Sequence, residues 1–198
     1  AGTVEATDLV TLTATAGAIR DDNVNGTMIT AAAMALDAGT FIGQTGAIEQ
    51  VDSAVQSISA NAAAGSVFIA QNGAATLVNV RAQGAGNDVT VSSSTGDLTV
   101  ATAQAADQVV LTAANGSIVD DNIQTTRITG LGVNLTASGA VGSLSTNLDV
   151  DTAVDVITAL AQNGDVVITE TAGALVSNVR AQGANHNAQV VATTGDLT

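Results

Sequence analysis

The stretch NVRAQGA occurs at residues 79–85 and again at residues 178–184, ninety-nine positions later. The repeat extends well beyond it: VTLTATAGAIRDDN at 10–23 aligns without a gap with VVLTAANGSIVDDN at 109–122. An internal repeat constrains the fold more than any local pattern, because both copies must form the same structure. We therefore divide the chain into repeat unit 1, residues 1–99, and repeat unit 2, residues 100–198, in one continuous structure without a linker. Both ends lie in mid-pattern, so we expect a segment of a longer tandem array.

A shorter period lies inside each unit. Segments such as VTVSSSTGDLTV at 89–100 join an alternating strand pattern, a polar turn with Gly, and a β-branched or Leu residue. Alternation with period two predicts strands with one buried face, and Gly, Asn and Asp are typical of turns. Short strands that recur every ~20 to 30 residues without helical stretches between them predict stacked solenoid coils.

The predicted fold class is all-β: a right-handed parallel β-helix (β-solenoid) built from two tandem repeats of about 99 residues. The chain has no Pro, Trp or Tyr and two Phe, which suits a narrow interior filled by Val, Ile, Leu, Ala and Thr. Pro would also remove ladder hydrogen bonds. With about four coils per unit and ~4.8 Å per coil, we expect a rod ~40 Å long. The alternative is a tandem pair of β-sandwich domains, which predicts a buried aromatic residue, Pro-bearing loops and a linker.

Charge and composition exclude several classes of function. The chain has four Arg, no Lys and 18 Asp and Glu, with a net charge of −14. Such a surface repels nucleic acid and anionic lipid, and no apolar run approaches the ~20 residues of a membrane-spanning helix. We therefore expect no nucleic-acid partner and no membrane insertion. The chain has no Cys, which excludes a disulfide framework and thiol chemistry.

Six carboxylates in polar stretches are candidate calcium ligands. Oxygen atoms at turns suit calcium, and acidic side chains stacked on neighbouring coils repel one another unless a cation lies between them. Asp-Asp-Asn is also an ordinary turn sequence, so a purely structural role stays open. Calcium is the one candidate cofactor. The candidates are Asp21, Asp22, Asp120, Asp121, Asp149 and Asp151.

The NVRAQGA motif predicts a structural ladder of Asn79, Arg81, Asn178 and Arg180. In this interpretation the Asn amides bond the coils above and below, and each Arg binds a neighbouring carboxylate or corner carbonyl. A ligand-binding patch is the functional alternative. Catalysis has little support, because His186 stands alone where unit 1 has an Asn, and no His/Cys cluster exists. We expect no enzyme activity.

The repeats resemble those of large secreted adhesins of Gram-negative bacteria. STGDLTV at 94–100, TAANGSIV at 112–119 and AQNGDVVIT at 161–169 are similar to the β-solenoid repeats of filamentous-haemagglutinin-like and autotransporter passenger proteins. The resemblance implies an exported, extracellular β-helix shaft at the cell surface or in a biofilm matrix.

With this resemblance, the expected function is a structural segment of an extracellular bacterial fibre or adhesin shaft. Its partners would be copies of itself or adjacent repeats, joined head-to-tail through open strand edges. Both a giant covalent chain and stacking of separate chains fit this expectation. The alternative is a calcium- or glycan-binding adhesive module of a surface protein, with a cell-surface glycan or other cells as partner.

Overall fold

The computed structural model describes residues 2–46, 49–145 and 147–198. These residues form a β-solenoid of about eight turns, in which every described strand pair is parallel and all strands join one sheet. The prediction of an all-β parallel β-helix is confirmed. Tandem sandwiches are excluded, because their sheets consist of antiparallel strands. In the described residues there is no helix long and apolar enough to cross a bilayer.

The sheet contains sixteen described strands, of two to twelve residues. Strand β8 crosses the boundary between the two repeat units, so the ladder is continuous there. The strands are β1 Val4–Glu5, β2 Leu9–Ala14, β3 Ile29–Ala38, β4 Val51–Ala62, β5 Val67–Gln71, β6 Ala75–Ala82, β7 Val89–Ser93, β8 Leu98–Val100, β9 Ala103–Ala105, β10 Gln108–Ala113, β11 Ile118–Asp120, β12 Ile128–Ala137, β13 Val150–Ala161, β14 Val166–Glu170, β15 Leu175–Ala181 and β16 Ala188–Ala192.

The pairings define two sides of the solenoid, and the chain passes from one to the other within every coil. Long strands such as β3 and β12 bend from one side to the other. Side A stacks residues 4–5, 29–31, 51–55, 67–71, 89–93, 108–113, 132–137, 156–161 and 175–181. Side B stacks residues 9–14, 33–38, 57–62, 75–82, 98–105, 128–130, 150–154, 166–170 and 188–192.

Alternate residues of each strand fill the interior. In β5, Val67 and Ile69 are 0% exposed, and Val89 and Val91 of the next coil lie directly against them at the same exposure. Burial of one such side chain contributes about 2 kcal/mol. Both Phe residues lie on the outside instead, and the Arg20 guanidinium sits 4.6 Å from the centroid of the Phe41 ring. The scarcity of large residues thus matches the narrow interior.

Corresponding positions of the two units lie on opposite sides of the solenoid. Val67 and Val89 pair on side A, whereas their counterparts Val166 and Ala188 pair on side B. Unit 2 therefore follows unit 1 after about four and a half coils, not the four expected, and is rotated by about half a turn. At ~4.8 Å per coil the rise per unit is ~22 Å.

Unequal coils explain this half-integral number. Twenty-five residues separate Ile42 from its partner Val67, because a loop leaves the sheet after Ile42, but only twenty separate Val89 from Val109. The loop starts at Gly43, whose φ is +63° and where a Cβ would collide with the Phe68 carbonyl oxygen. Unit 2 repeats this geometry at its counterpart, Gly142.

Candidate functional site

The Asp-Asp-Asn stretch of unit 1 forms a turn held by its own carboxylates. Asp21 Oδ2 accepts a hydrogen bond from the Asn23 backbone N–H at 2.6 Å, and Asn23 has a φ of 61°. Asp22 Oδ1 accepts from the Val24 N–H at 3.2 Å and from the Thr27 hydroxyl at 2.7 Å. The hydrogen bond from Thr27 lowers the pKa of Asp22, which is exposed.

Unit 2 builds the same turn. Asp120 Oδ2 accepts from the Asn122 N–H at 2.6 Å, and Asp121 Oδ1 accepts from the Ile123 N–H at 3.1 Å and from the Thr126 hydroxyl at 2.6 Å. Because these oxygens already accept donors of the turn, both stretches have the structural role that the sequence left open.

Each turn lies beside a further carboxylate on the following coil. In unit 2, Asp120 and Asp151 are only 6% and 7% exposed. Burial raises the pKa of Asp120 to about 6, with Asp121 and Asp151 adding repulsion against a partly compensating hydrogen bond from the Asn122 N–H. Burial also raises the pKa of Asp151 to about 6, Asp149 and Asp121 add to the rise, and Arg127 opposes it.

Unit 1 has a weaker version of this acidic pair. Burial raises the pKa of Asp52, the counterpart of Asp151, and the charges of Asp21 and Asp22 raise it further. The Oδ2 atoms of Asp52 and Asp151 are both buried, and neither has a hydrogen-bond partner among the described residues. A protonated carboxyl removes the charge repulsion at such a position.

The predicted calcium ligands therefore come together only in part. The structure places Asp120, Asp121, Asp149 and Asp151 close enough to influence one another, and it groups Asp21 and Asp22 with Asp52. Within the described ranges, however, no group of three or more His, Cys, Asp or Glu side chains is arranged to hold a metal ion. Calcium requires six to eight oxygen ligands, so this arrangement fits a buried acidic pair better than a calcium centre.

The NVRAQGA motif follows a β-bulge in both units. The register shifts at Val78 in unit 1 and at Ser177 in unit 2, which turns the next residues so that Asn79 and Arg81 point outward. Asn178 and Arg180 are likewise exposed. Among the described residues, none of these four side chains forms a hydrogen bond to a neighbouring coil.

A ladder of polar side chains does cross three coils near the motif of unit 1. Asn61 Nδ2 donates to Asp37 Oδ1 at 2.8 Å, and Gln83 Nε2 donates to Asn61 Oδ1 at 2.8 Å. Arg81 lies next to this ladder, at a surface groove of about 340 Å³ that Gln83 and Gln104 also line. The residue of NVRAQGA that joins this ladder is therefore its Gln, Gln83, and not the predicted Asn79.

The sequence analysis did not identify a buried polar position at the end of β5 and of its counterpart β14. Gln71 is 2% exposed and its Oε1 accepts from the Ser53 hydroxyl at 2.7 Å, while its Nε2 donates to the Val55 carbonyl at 2.8 Å. Its counterpart Glu170 is 0% exposed and accepts from the Thr152 hydroxyl at 2.8 Å. The available sequence signal was a polar residue at a position where the alternation of the strand predicts an inward side chain.

Both ends of the solenoid present strand edges without a partner in the structure. Strands β15 and β16 of the last coil are largely exposed, whereas their unit 1 counterparts β6 and β7 bury every inward residue under the next coil. At the other end, the inward Leu12 of β2 is only half-buried. Unpaired parallel edges are templates for a further strand.

The one His residue adds no catalytic arrangement. His186 Nδ1 lies 3.7 Å from Asp165 Oδ1 at a surface turn. No hydrogen bond of the described residues links this pair to a Ser or Thr hydroxyl.

No protein-family model, curated protein or solved structure matches the chain.

Proposed function

We propose that this chain is a structural β-solenoid segment of an extracellular bacterial fibre or adhesin shaft that continues head-to-tail into a filament. The observation that carries the proposal is the single parallel ladder, which crosses the repeat boundary within strand β8 and ends in exposed strands on both sides. Extracellular location rests on the resemblance of the repeats to those of secreted adhesins.

The mechanical role follows from the ladder. Main-chain hydrogen bonds between coils run along the axis of the rod, so axial load falls on many bonds in each coil at once. The acidic outer surface, with a net charge of −14, opposes lateral contact between rods. A stiff, soluble spacer results, and its length is set by the number of repeats.

Electron microscopy of the purified 198-residue chain tests the proposal. We expect long unbranched filaments that show a ~4.8 Å axial spacing. Discrete particles ~40 Å long at all concentrations tested would contradict head-to-tail continuation. Surface labelling of intact source cells with an antibody against the chain tests the location, and labelling only after lysis would contradict the extracellular assignment.

A further inference from the structure

The boundary between the two repeat units shows how one unit stacks on the next. Among the strand pairs that cross it are β6 with β9, β7 with β10, and β8 with β11. The inward residues at this boundary are closed to solvent, and Val91, Leu98 and Leu111 are all 0% exposed. The molecule therefore contains a complete example of a unit-to-unit junction.

The counterparts of these residues at the two ends are open. Leu197, the counterpart of Leu98, is 38% exposed, and Val190, the counterpart of Val91, is only half-buried. At the N-terminal end, Leu12 corresponds to Leu111 and is also half-buried. These three end residues are identical to their counterparts at the internal boundary.

We propose that the C-terminal end of one molecule binds the N-terminal end of a second copy of this chain in the register of the internal boundary. This inference rests on the proposed head-to-tail function and specifies its contacts. Val179 would lie against Val4 of the second copy, as Val80 lies against Ala103. Shifted by ninety-nine positions, the β7–β10 pairing places residues 188–192 against residues 10–14 of the second copy.

Charge complementarity supports this register. Arg81 pairs with Gln104 at the internal boundary. At the proposed junction the corresponding residues are Arg180 and Glu5 of the second copy, and both are exposed in the free chain. Directly opposed side chains on neighbouring strands lie about 5 Å apart, and opposite charges there are favourable. The chain has a net charge of −14 and only four Arg residues, and this contact places one of them against Glu5 of the second copy.

A main-chain contact of the internal boundary is also retained. Asp97 Oδ1 accepts a hydrogen bond from the Ser117 backbone N–H at 2.7 Å. The corresponding residues at the proposed junction are Asp196 and Ala18 of the second copy. Because the donor is a backbone N–H, the change from Ser to Ala leaves it in place, and the exposed Asp196 gains a partner.

The proposed register fixes the symmetry of the filament. Each 99-residue unit would follow the previous one by about half a turn and ~22 Å, so one molecule advances the filament by ~43 Å. Features that occur once per unit, such as the groove at Arg81, then alternate between opposite sides of the filament.

Cysteine cross-linking tests the register, because the chain has no Cys of its own. We expect the variant with Glu5→Cys and Arg180→Cys to form disulfide-linked dimers and longer oligomers under mild oxidation, since opposed residues lie within disulfide reach. The matched control pairs Glu5→Cys with Asn178→Cys, which keeps one cysteine on the same exposed face two residues away. Mass spectrometry of the linked peptides identifies which cysteines have joined.

Charge exchange provides the second measurement. Glu5→Arg and Arg180→Glu each place like charges at the junction and should raise the critical concentration for assembly about fivefold. The double variant restores an opposite pair and should return it to the wild-type value. Filaments that form with no 5–180 disulfide and no effect of either reversal would overturn the register and leave the proposed function standing.

The remaining outcomes are equally distinct. A 5–180 disulfide formed by a protein that makes no filaments would support the register and contradict the filament function. Neither filaments nor the disulfide at millimolar protein would contradict both.

Discussion

At the scale of single residues, the main unfavourable feature of this molecule is the burial of acidic side chains that carry charge. Asp120 and Asp151 are both almost fully buried, and burial raises the pKa of each carboxyl to about 6. Arg127 lowers the pKa of Asp151, and its Nη1 also donates to the Thr171 hydroxyl at 2.7 Å. At neutral pH the pair is therefore ionised at the expense of folding free energy.

The first prediction concerns Asp151→Asn. A carboxyl whose pKa is higher in the folded than in the unfolded state stabilises the fold when it is protonated, and this stabilisation is lost as pH rises from about 4 through 6. We expect Asp151→Asn to raise the free energy of unfolding by about 2 kcal/mol at pH 7.5 and to have little effect at pH 4. Urea unfolding across this pH range measures the difference.

Asp155→Asn is the matched control, because it removes the same charge from an exposed position of the same strand. Millimolar calcium separates the two interpretations of the acidic pair. If Asp151→Asn lost stability relative to wild type in calcium, a cation would bind here and the interpretation as a buried acidic pair would be wrong.

The second prediction concerns the buried Glu170. Its Oε2 accepts from the Thr152 hydroxyl and the Val154 N–H, and its Oε1 accepts from the Ala172 N–H at 3.0 Å. Glu170→Ala leaves these donors unsatisfied beside a cavity and should cost about 3 kcal/mol. Glu170→Gln should cost about 1 kcal/mol or less, because Gln71 occupies the same position in unit 1. Thermal unfolding of the two variants compares them.

The reverse exchange in unit 1 provides the control. Gln71→Glu loses the amide that donates to the Val55 carbonyl, so it should destabilise more than Glu170→Gln. Equal effects of Glu170→Ala and Glu170→Gln would show that the hydrogen bonds of this position contribute little to stability.

At the scale of strands, position within the stack decides how much an inward residue contributes. Val80 is 0% exposed between Ala60 and Ala103 of the neighbouring coils. Its counterpart Val179 has the Ala159 coil on one side only and is half-buried. The same motif therefore has two different environments in one molecule.

The third prediction uses this contrast. Val80→Lys buries an unpaired charge and should lower the free energy of unfolding by more than about 3 kcal/mol. Val179→Lys should cost the free chain about 1 kcal/mol or less, because the ammonium reaches solvent at the open end. Urea unfolding at concentrations below the onset of assembly makes the comparison. Equal losses would mean that the end coil is covered in solution.

The sequence was sufficient to predict the solenoid, because strand alternation, turn residues and the ninety-nine-residue repeat all point to stacked coils. It could not predict the half-turn between units. That relation depends on whether residues after Ile42 leave the sheet as a loop or continue it, and both options have similar polar composition. The acidic pair was predicted only as scattered Asp residues, since burial of Asp151 depends on contacts between coils.

The bulges at Val78 and Ser177 explain which side chains of the NVRAQGA motif point inward. Each bulge inserts one extra residue, so the residues after it exchange inward and outward positions relative to those before it. Val80 and Ala82 then point inward, and Arg81 points outward. Both units have the bulge at the same place, directly before the motif.

At the scale of the whole molecule, stability is a sum of contacts between adjacent coils opposed by long-range charge repulsion. In a solenoid each coil contacts only its neighbours, whereas the net charge of −14 acts over the whole rod. The repulsion between exposed carboxylates decreases as salt shortens the Debye length, while the packing of Val, Ile and Leu is nearly unaffected over the same range.

The fourth prediction follows from this difference in range. Raising NaCl from 10 to 150 mM shortens the Debye length from about 30 to about 8 Å, so we expect Tm to rise by several degrees and end-to-end assembly to strengthen in the same interval. Most of the change should be complete by 150 mM, since going on to 1 M shortens the length by only about 5 Å more. A rise that continued linearly to 1 M would indicate salt exclusion from the surface instead. Calorimetry and light scattering on one salt series measure both effects. A Tm that fell with added salt would show that the few Arg contacts outweigh the repulsion among the carboxylates.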